Sequence, residues 1–600
     1  MKSNDRTYVI VALFLFVTVI FIARLFYVQI VQDSWKVRAI KITERAVTNY
    51  PSRGLIYDRN NKVLVGNTAV YDLMVVPKNV ESFDTTLFCK ITELEKEEFK
   101  KKFKKARKYS RYKPSILIAQ IPAYNYADIA ENLDQFKGFY GVPNTMRIYP
   151  DSAAPHAVGF VSEVNAKKVK DDAYYHSGDY IGDNGIELQY EEVLRGKKGV
   201  SFMLVDVHNN VKGKYSGGSF DTASVSGQNL VSTIDLDLQI WGELLMSKKR
   251  GSIVAIEPKT GEILAMVNNP SYNPNVLIGR QRSKNYSALN RDTLKPLFNR
   301  ALQAQYPPGS TFKLLNALIG LEEGVVTPNT YHSCYGGYFF GRRKLGCHPH
   351  SSPLNLKYSI TTSCNAYYCN VFKNIIDKYP TAEEGYQVWR NYVSRFGLGS
   401  KLNLDLTDEK PGILKPTTYY DEIYGKGSWK PHTVISLSIG QGELGVTPMQ
   451  MANYTATIAN RGYYYTPHII KQIGDSVIDL KSIDKFETGI SEENFEIVID
   501  AMENVIDHGT GRGVKYDETK ICGKTGTAQN PHGKDHSIFI AFAPKNDPQI
   551  AVAVYVENVG YGSTWAAPIT SLIIEKYLTR STNRPLIEKK MLEADLLKEN

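Results

Sequence analysis

Cysteine is scarce in this chain: six in 600 residues, four of them between positions 334 and 369. That clustering excludes the even spread of a disulfide-stapled domain. Long apolar runs are scarcer still. Only one is long enough to cross a bilayer, so a single membrane pass is expected, with no second span. Internal repeats are absent. Charge of one sign is also in short supply: a net +10 over this length argues only weakly for nucleic acid, and no nucleic-acid partner is expected. What remains is the composition of an ordinary globular protein, 42% hydrophobic and 22% charged. Its length implies two or more domains with ample core. Thirty-nine tyrosines suit carbohydrate or peptide grooves and serve equally as sheet filler.

The apolar run covers residues 7–31, interrupted only by Arg24. As a helix it extends roughly 37 Å at ~1.5 Å per residue, enough to span a bilayer. No small-x-small cleavage site follows, so it reads as an uncleaved signal anchor behind a short cytoplasmic tail, residues 1–6. The flanking charges do not favour that orientation: Lys2 and Arg6 precede the span, while Arg24, Lys36, Arg38, Lys41 and Arg45 follow it. A long domain translocates regardless of charge, which overrides the rule if the large domain is extracytoplasmic.

Beyond the membrane, residues 51–65 read as strand, turn, strand, with Asp58-Arg-Asn-Asn61 as the hairpin. Residues 93–113 read as a strongly basic helix. Such a face could touch anionic lipid or polymer, but a solvated surface with interspersed Glu97 and Glu98 is the simpler account. Residues 183–196 read as a turn leading into a glycine-closed helix. A second unit starts near Gln228, with strands at 230–234, 251–256 and 263–267 and a helix through 238–245. Helices dominate from Ser310 to about Ala459. Apolar strands return at 537–543 and 550–556, which predicts one sheet built from both ends of the domain. The expected division is a membrane-proximal unit over 32–227 with an inserted segment at about 81–142, a second unit over 228–578, and a loose charged tail over 579–600.

Three short motifs carry chemistry. In Tyr306-Pro-Pro-Gly-Ser-Thr-Phe-Lys313 the prolines and glycine end extended chain, and apolar residues at helical spacing predict a helix from about Ser310. Lys313, one turn on, shares the face of Ser310, the arrangement of a nucleophile and its base. Ser363-Cys364-Asn365 reads as part of a helical segment, 361–372. Lys524-Thr525-Gly526-Thr527 opens the terminal strand group, where Gly526 lets a ligand lie against the backbone. Singly each is weak, and a capping serine ahead of a surface lysine is common. In this order, on a strand–helices–strand domain, they form the signature of the penicilloyl serine transferases, which this chain resembles.

Acyl transfer needs a nucleophile, a base, a proton route to the leaving amine and donors for the oxyanion. Ser310 supplies the first and Lys313 the second, if burial and the Lys524 charge lower its pKa. Ser363 relays a proton, Asn365 holds the substrate amide, and Lys524 with the Thr525 and Thr527 hydroxyls meets a substrate carboxylate. The N–H groups of Ser310 and Thr527 are the expected oxyanion hole. No cofactor is required.

The resemblance extends over nearly the whole chain. Arg53-Gly-x-Ile56 with Asp58-Arg59, Arg147-x-Tyr-Pro150 with His156-x-x-Gly159, Gly185-Ile-Glu187, Thr233-Ile-Asp235, Asn299-Arg-Ala301, Gly440-Gln-Gly442 and Phe542-Ala-Pro544 resemble the class B penicillin-binding proteins, above all the penicillin-binding protein 2 group of the elongation machinery. That likeness implies an α+β multidomain chain: a single transmembrane helix, an elongated β-rich pedestal, and a transpeptidase domain with an antiparallel sheet and helices on both sides. It also implies a D,D-transpeptidase of the bacterial cytoplasmic membrane. Such an enzyme acts outside the cytoplasm on D-alanyl-D-alanine stem peptides, is acylated by β-lactam antibiotics, and has a pedestal that contacts and activates a polytopic glycosyltransferase. The chain departs from the family at Ile538, where a tryptophan is common.

His332, Cys334, Cys347, His348 and His350 lie between the first two motifs. Sulfur with imidazole suits tetrahedral zinc, with Cys334, Cys347, His348 and His350 as the expected ligands. Some members of the resembled group carry a zinc site in this region. A Cys334–Cys347 disulfide and plain loop residues are the alternatives. A β-lactamase would need a glutamate-bearing loop before Lys524, and Glu409-Lys410 is the only candidate noted. A β-lactam sensor would carry further spans. A scaffold whose pedestal alone does the work would be favoured by a broken triad, and a division-type relative remains an alternative to an elongation enzyme.

Overall fold

In the computed structural model, which describes residues 3–31, 44–206, 211–279, 281–531 and 533–598, the apolar run is the helix Ser3–Phe26, continued by a wider turn over Tyr27–Val31. Its large apolar side chains face outward, Phe14 at 69% exposure and Phe16 at 65%, which fits a single-pass membrane anchor. The hydroxyl in mid-span, Thr18 Oγ1, donates to the Phe14 carbonyl at 2.8 Å, the local bond that satisfies such a group within an apolar helix. The flanking Lys2, Lys36, Arg38 and Lys41 lie outside the described residues, so the charge asymmetry stays a sequence observation.

The chain packs as two units, residues 1–53, 68–146 and 195–227 in the first, and 54–67, 147–194 and 228–600 in the second. Residues 54–67 and 147–194, expected in the pedestal, thus pack with the catalytic unit. In the first unit, Phe83, Phe88, Phe99, Phe136 and Phe139 form a core of tilted and edge-on rings. The basic helix is Lys96–Tyr109; it buries Phe99 and Ala106. Its outer face carries the pairs Lys100–Glu97 at 2.7 Å and Lys102–Glu98 at 2.9 Å, a solvated surface of the ordinary kind.

The second unit includes the Asp58 turn, whose carboxylate accepts from the backbone of Asn60 at 2.8 Å and Lys62 at 2.7 Å. The helix expected over 183–196 is split into Gly185–Gln189 and Glu191–Leu194. Gly185 sits at φ +59, where a β-carbon would fall 2.4 Å from the Ala157 carbonyl oxygen. Beside it, Glu187 meets Arg147 Nε at 2.7 Å, both side chains almost fully buried, which gives two of the family-like motifs one structural purpose.

The central sheet has strands β1 (Gly251–Ile256), β2 (Ile263–Asn269), β3 (Cys522–Ala528), β4 (His536–Ala543) and β5 (Ile550–Val556), in the order β2-β1-β5-β4-β3. All neighbours are antiparallel. As expected, it is built from both ends of the domain. Strands β1 and β5 are buried along their whole length, so they read as unbroken apolar runs rather than alternation. Helices Leu236–Met246 and Ala566–Thr579 contribute to the core on one side of the sheet. On the other lies Pro448–Ala459, with all twelve residues buried.

Two expectations fail here. The strand Leu230–Ser232 forms but pairs with Ile56–Tyr57 and Ile470–Ile473, not with the central sheet. The tail is not loose: Pro585–Glu593 is a helix, with Met591 and Leu596 buried. Arg584 Nε pairs with the buried Glu575 carboxylate at 2.8 Å, and Lys249 Nζ donates to the Met591 carbonyl. The charged residues of this stretch hide a narrow apolar stripe.

Candidate active site

Ser310 does not open an α-helix. Gly309–Phe312 form a 3-10 turn and the α-helix Lys313–Glu322 follows. With about three residues per turn, positions 310 and 313 eclipse each other, a closer stacking than an α-turn gives. The turn is seated from below. Tyr306 is buried, its hydroxyl donates to Glu557 Oε1 at 2.7 Å, and its ring stacks on Tyr555. Glu557 also meets the buried Arg300 at 3.1 Å. Gly309 adopts φ +58, and a β-carbon there would lie 2.6 Å from the Thr527 carbonyl oxygen. Only glycine lets the Ser310 turn press against β3. Gly526 makes the same approach from the strand side, where a β-carbon would meet Thr311 Cγ2 at 2.9 Å.

Ser363 is not inside a helix either. Helix Leu356–Thr361 ends, Ser363 takes φ +60, and a new helix runs over Asn365–Asp377 with Cys364 as its cap. A non-glycine residue in the left-handed region is costly enough to mark a functional or tightly held position. The break turns Ser363 toward both lysines. Lys313 Nζ donates to the Ser363 carbonyl at 2.7 Å, to Asn365 Oδ1 at 2.6 Å and to Ser363 Oγ at 3.2 Å. Lys524 Nζ donates to the same hydroxyl at 2.9 Å and to the Thr525 carbonyl at 3.0 Å. Both amines are fully buried. Burial lowers Lys313 to about 8 from the ordinary 10.5. Burial first, then the neighbouring Lys313 charge, pulls Lys524 well below its usual value.

The structure therefore brings Lys313, Ser363, Asn365 and Lys524 into one hydrogen-bonded network, while among the described residues no side-chain hydrogen bond joins the half-buried Ser310 to it. Thr525 Oγ1 lies 2.6 Å from Thr510 Oγ1, and Gln441 Nε2 donates to the Thr527 carbonyl at 3.2 Å. Thr510 and the Gly346 carbonyl, which accepts from Asn365 Nδ2 at 2.7 Å, were missed by the motif reading. The glycines of Gly509-Thr-Gly511 were the available signal. A β-carbon at 509 would fall 2.5 Å from the Thr361 carbonyl oxygen. Glu409 accepts from the amides of Asn403 at 3.0 Å and Leu404 at 3.4 Å; it staples a loop. Ile538, the departure from the family pattern, is fully buried and paired with Gly526 in the β3–β4 ladder.

The cysteine-rich stretch is not the expected ligand set. Donor atoms of Cys334, Cys347, His350 and Cys364 lie within 4.8 Å of one another. His348 is not among them; its Nε2 lies 2.6 Å from the Thr362 carbonyl. Cys364 replaces it, because the break before Asn365 turns its sulfur toward Cys347. All six cysteines are free thiols, so Cys334 and Cys347 are not joined. Cys347 Sγ lies 3.3 Å from His350 Nε2 and accepts from the Asn365 amide at 3.2 Å.

Comparison with known proteins agrees in extent with this architecture. The model for the penicillin-binding protein transpeptidase domain matches residues 251–575, and that for the penicillin-binding protein dimerisation domain matches 48–232. The peptidoglycan D,D-transpeptidase MrdA of Acinetobacter baumannii is 31% identical over 617 residues, covering 97% of this chain and 89% of the relative. Pseudomonas aeruginosa PBP2 superimposes with a TM-score of 0.66 at 29% identity, over 89% of this chain and 97% of that one. A chain from a peptidoglycan synthase complex, solved for its coordination of polymerization and crosslinking, superimposes with a TM-score of 0.72 at 26% identity, over 97% of this chain and 100% of that one. A matched catalytic domain, a matched dimerisation domain and end-to-end relatives leave one assignment: this chain belongs to the penicillin-binding protein transpeptidases.

Proposed function

We propose a division of labour among the motif residues of this chain, which is a serine-type peptidoglycan D,D-transpeptidase of cell-wall elongation. Ser310 Oγ attacks the carbonyl carbon of the penultimate D-alanine, and its proton passes to Lys313 Nζ. A neutral Lys313 keeps two hydrogens for the Ser363 carbonyl and Asn365, and giving up the third, which faces Ser363 Oγ at 3.2 Å, leaves the lone pair that takes the serine proton. The N–H groups of Ser310 and Thr527 hold the oxyanion. The C–N bond then breaks, and the Ser363 hydroxyl, bonded to both amines, passes a proton to the departing D-alanine nitrogen. An amine from a neighbouring stem peptide attacks the ester, the proton path reverses, and Ser310 leaves as the hydroxyl. Lys524, Thr525 and Thr527 receive the terminal carboxylate. The observation that carries this reading is the hydroxyl of Ser363 shared between two buried lysines at 3.2 and 2.9 Å.

The test is covalent labelling of the full chain with a fluorescent penicillin, followed by peptide mass spectrometry. Label on Ser310 that turns over slowly is expected. No label, or label on another residue, refutes the assignment, and rapid release identifies a hydrolase.

We further propose that the helix at residues 6–30 is a single-pass anchor with the catalytic unit on the outer side of the membrane. A polytopic glycosyltransferase is the proposed partner of the first unit. That reading is supported by the end-to-end likeness to a chain of a peptidoglycan synthase complex. Finally, we propose a structural zinc ion held by Cys334, Cys347, His350 and Cys364. Zinc bonds of about 2.3 Å to sulfur and 2.0 Å to nitrogen put tetrahedral donors within this spacing. The ion would tie Cys364 to the loop before it and so fix Ser363 and Asn365, without entering the reaction. One zinc per chain by elemental analysis is expected, falling to none in Cys364→Ser and unchanged in His348→Ala.

A further inference from the structure

Between Cys334 and Cys347 the chain throws out a two-stranded hairpin, Gly337–Phe340 and Arg343–Gly346. Motif reading assigned it nothing. Its root is wired to the site: the Gly346 carbonyl accepts from Asn365 Nδ2 at 2.7 Å, and Cys347 N donates to the Gly336 carbonyl at 3.0 Å. One face is anchored, with Tyr338 buried and its hydroxyl 3.0 Å from His432 Nε2. The other face is open. Phe339 is 57% exposed, with Lys344, its cross-strand partner, 5.1 Å over the ring. Arg342, Arg343 and Lys344 are exposed, and among the described residues no carboxylate pairs with any of them. Lys344 lies on the open face beside Phe339, Arg343 lies opposite Phe340 on the other face and Arg342 sits at the tip, so the end of the hairpin is basic on both sides of the exposed ring and complementary to an anionic, sugar-bearing chain. At about 3.3 Å per residue, the four steps from Gly346 to Arg342 place the tip roughly 13 Å from Gly346, the residue that Asn365 holds. That is beyond a bound penicillin and within reach of the rest of a stem peptide and its glycan.

We propose that this hairpin is a subsite of the transpeptidase that binds the substrate strand through the side carboxylates of its stem peptides. Arg342, Arg343 and Lys344 meet the carboxylates and Phe339 covers the adjoining sugar. The proposal rests on the transpeptidase reading above and deepens it.

The experiment compares the full-length protein with its R342Q/R343Q/K344Q variant. Two substrates are used: uncross-linked glycan strands with pentapeptide stems, and the same strands with the side carboxylates converted to carboxamides. On the carboxylate strands the variant should raise KM about tenfold with kcat little changed, as expected for losing a few exposed ion pairs. On the amidated strands the two proteins should share one KM. Acylation by fluorescent penicillin should be the same for both. An unchanged KM on the carboxylate strands overturns the proposal, as does a defect that persists on the amidated strands. An equal loss of penicillin acylation would show the hairpin to be structural, and a change confined to association with phosphatidylglycerol vesicles would assign it to the membrane. Failure of the wild-type protein to label on Ser310 would instead refute the underlying transpeptidase reading.

Discussion

As the proposed base for Ser310, the buried Lys313 makes the reaction pH-dependent in a calculable way. With an ordinary value of 10.5, a lysine at pH 7 is neutral in about 0.03% of molecules; lowered to about 8, as Lys313 is, it is neutral in about 9%. Burial thus raises the population able to accept the Ser310 proton about 300-fold. Between pH 7 and pH 9 the neutral fraction climbs from about 9% to about 90%, so second-order acylation by a penicillin should rise about tenfold and level off. Since Lys524 lies in the same network, the inflection belongs to the pair. Lys313→Arg retains the charge but not the ability to release it, and should lower acylation by about 100-fold or more. The same shift acts on stability with a definite sign. The folded state binds fewer protons than the unfolded state between pH 8 and 10.5, so the contribution of Lys313 to stability improves as pH rises through that window. Stopped-flow acylation across pH 6–10 is the assay. A flat profile, or an inflection near 10.5, refutes the reasoning.

Other substitutions probe the surrounding framework. Asn365→Ala removes an acceptor of Lys313 and the donor to Gly346, and should reduce acylation at least tenfold while thermal unfolding changes little. Glu557→Ala leaves the buried Arg300 uncompensated and should cost about 3–5 kcal/mol by denaturant unfolding, with Tyr306 and the serine turn loosened as well. Met591→Ala should destabilise by about 2–4 kcal/mol because its side chain is fully enclosed; a change below about 0.5 kcal/mol would mean that the final helix does not dock.

The cluster of Lys313, Ser363, Asn365 and Lys524 was legible because each motif carries its own chemistry and the three kept one order. The sheet was legible because β1 and β5 are apolar without interruption. What escaped the sequence is backbone geometry. Nothing in Ser363-Cys364-Asn365 announces a left-handed serine, since Asn365 begins a helix whose apolar spacing blurs into the one before it. The same break places Cys364 among the clustered donors: read as helical, its sulfur could not be aimed at Cys347. The hairpin at 337–346 was hidden among helical segments because its strands are four residues each, too short to show a period. The final helix was obscured by its charges, which surround a single deeply inserted methionine.

The order of strands in the central sheet has a consequence for how the enzyme is made. Strand β5 lies between β1 and β4, and β3 forms the edge against the serine turn. When residues 310–313 have left the ribosome, both strands and Lys524 are still to be synthesised, and β1 has an unfilled edge. Reactivity therefore waits on contacts between the first and last parts of the domain, the slow class of contact in folding. A partly made chain carries its proposed nucleophile unarmed, and becomes an acylating enzyme only once nearly all of the domain has been synthesised.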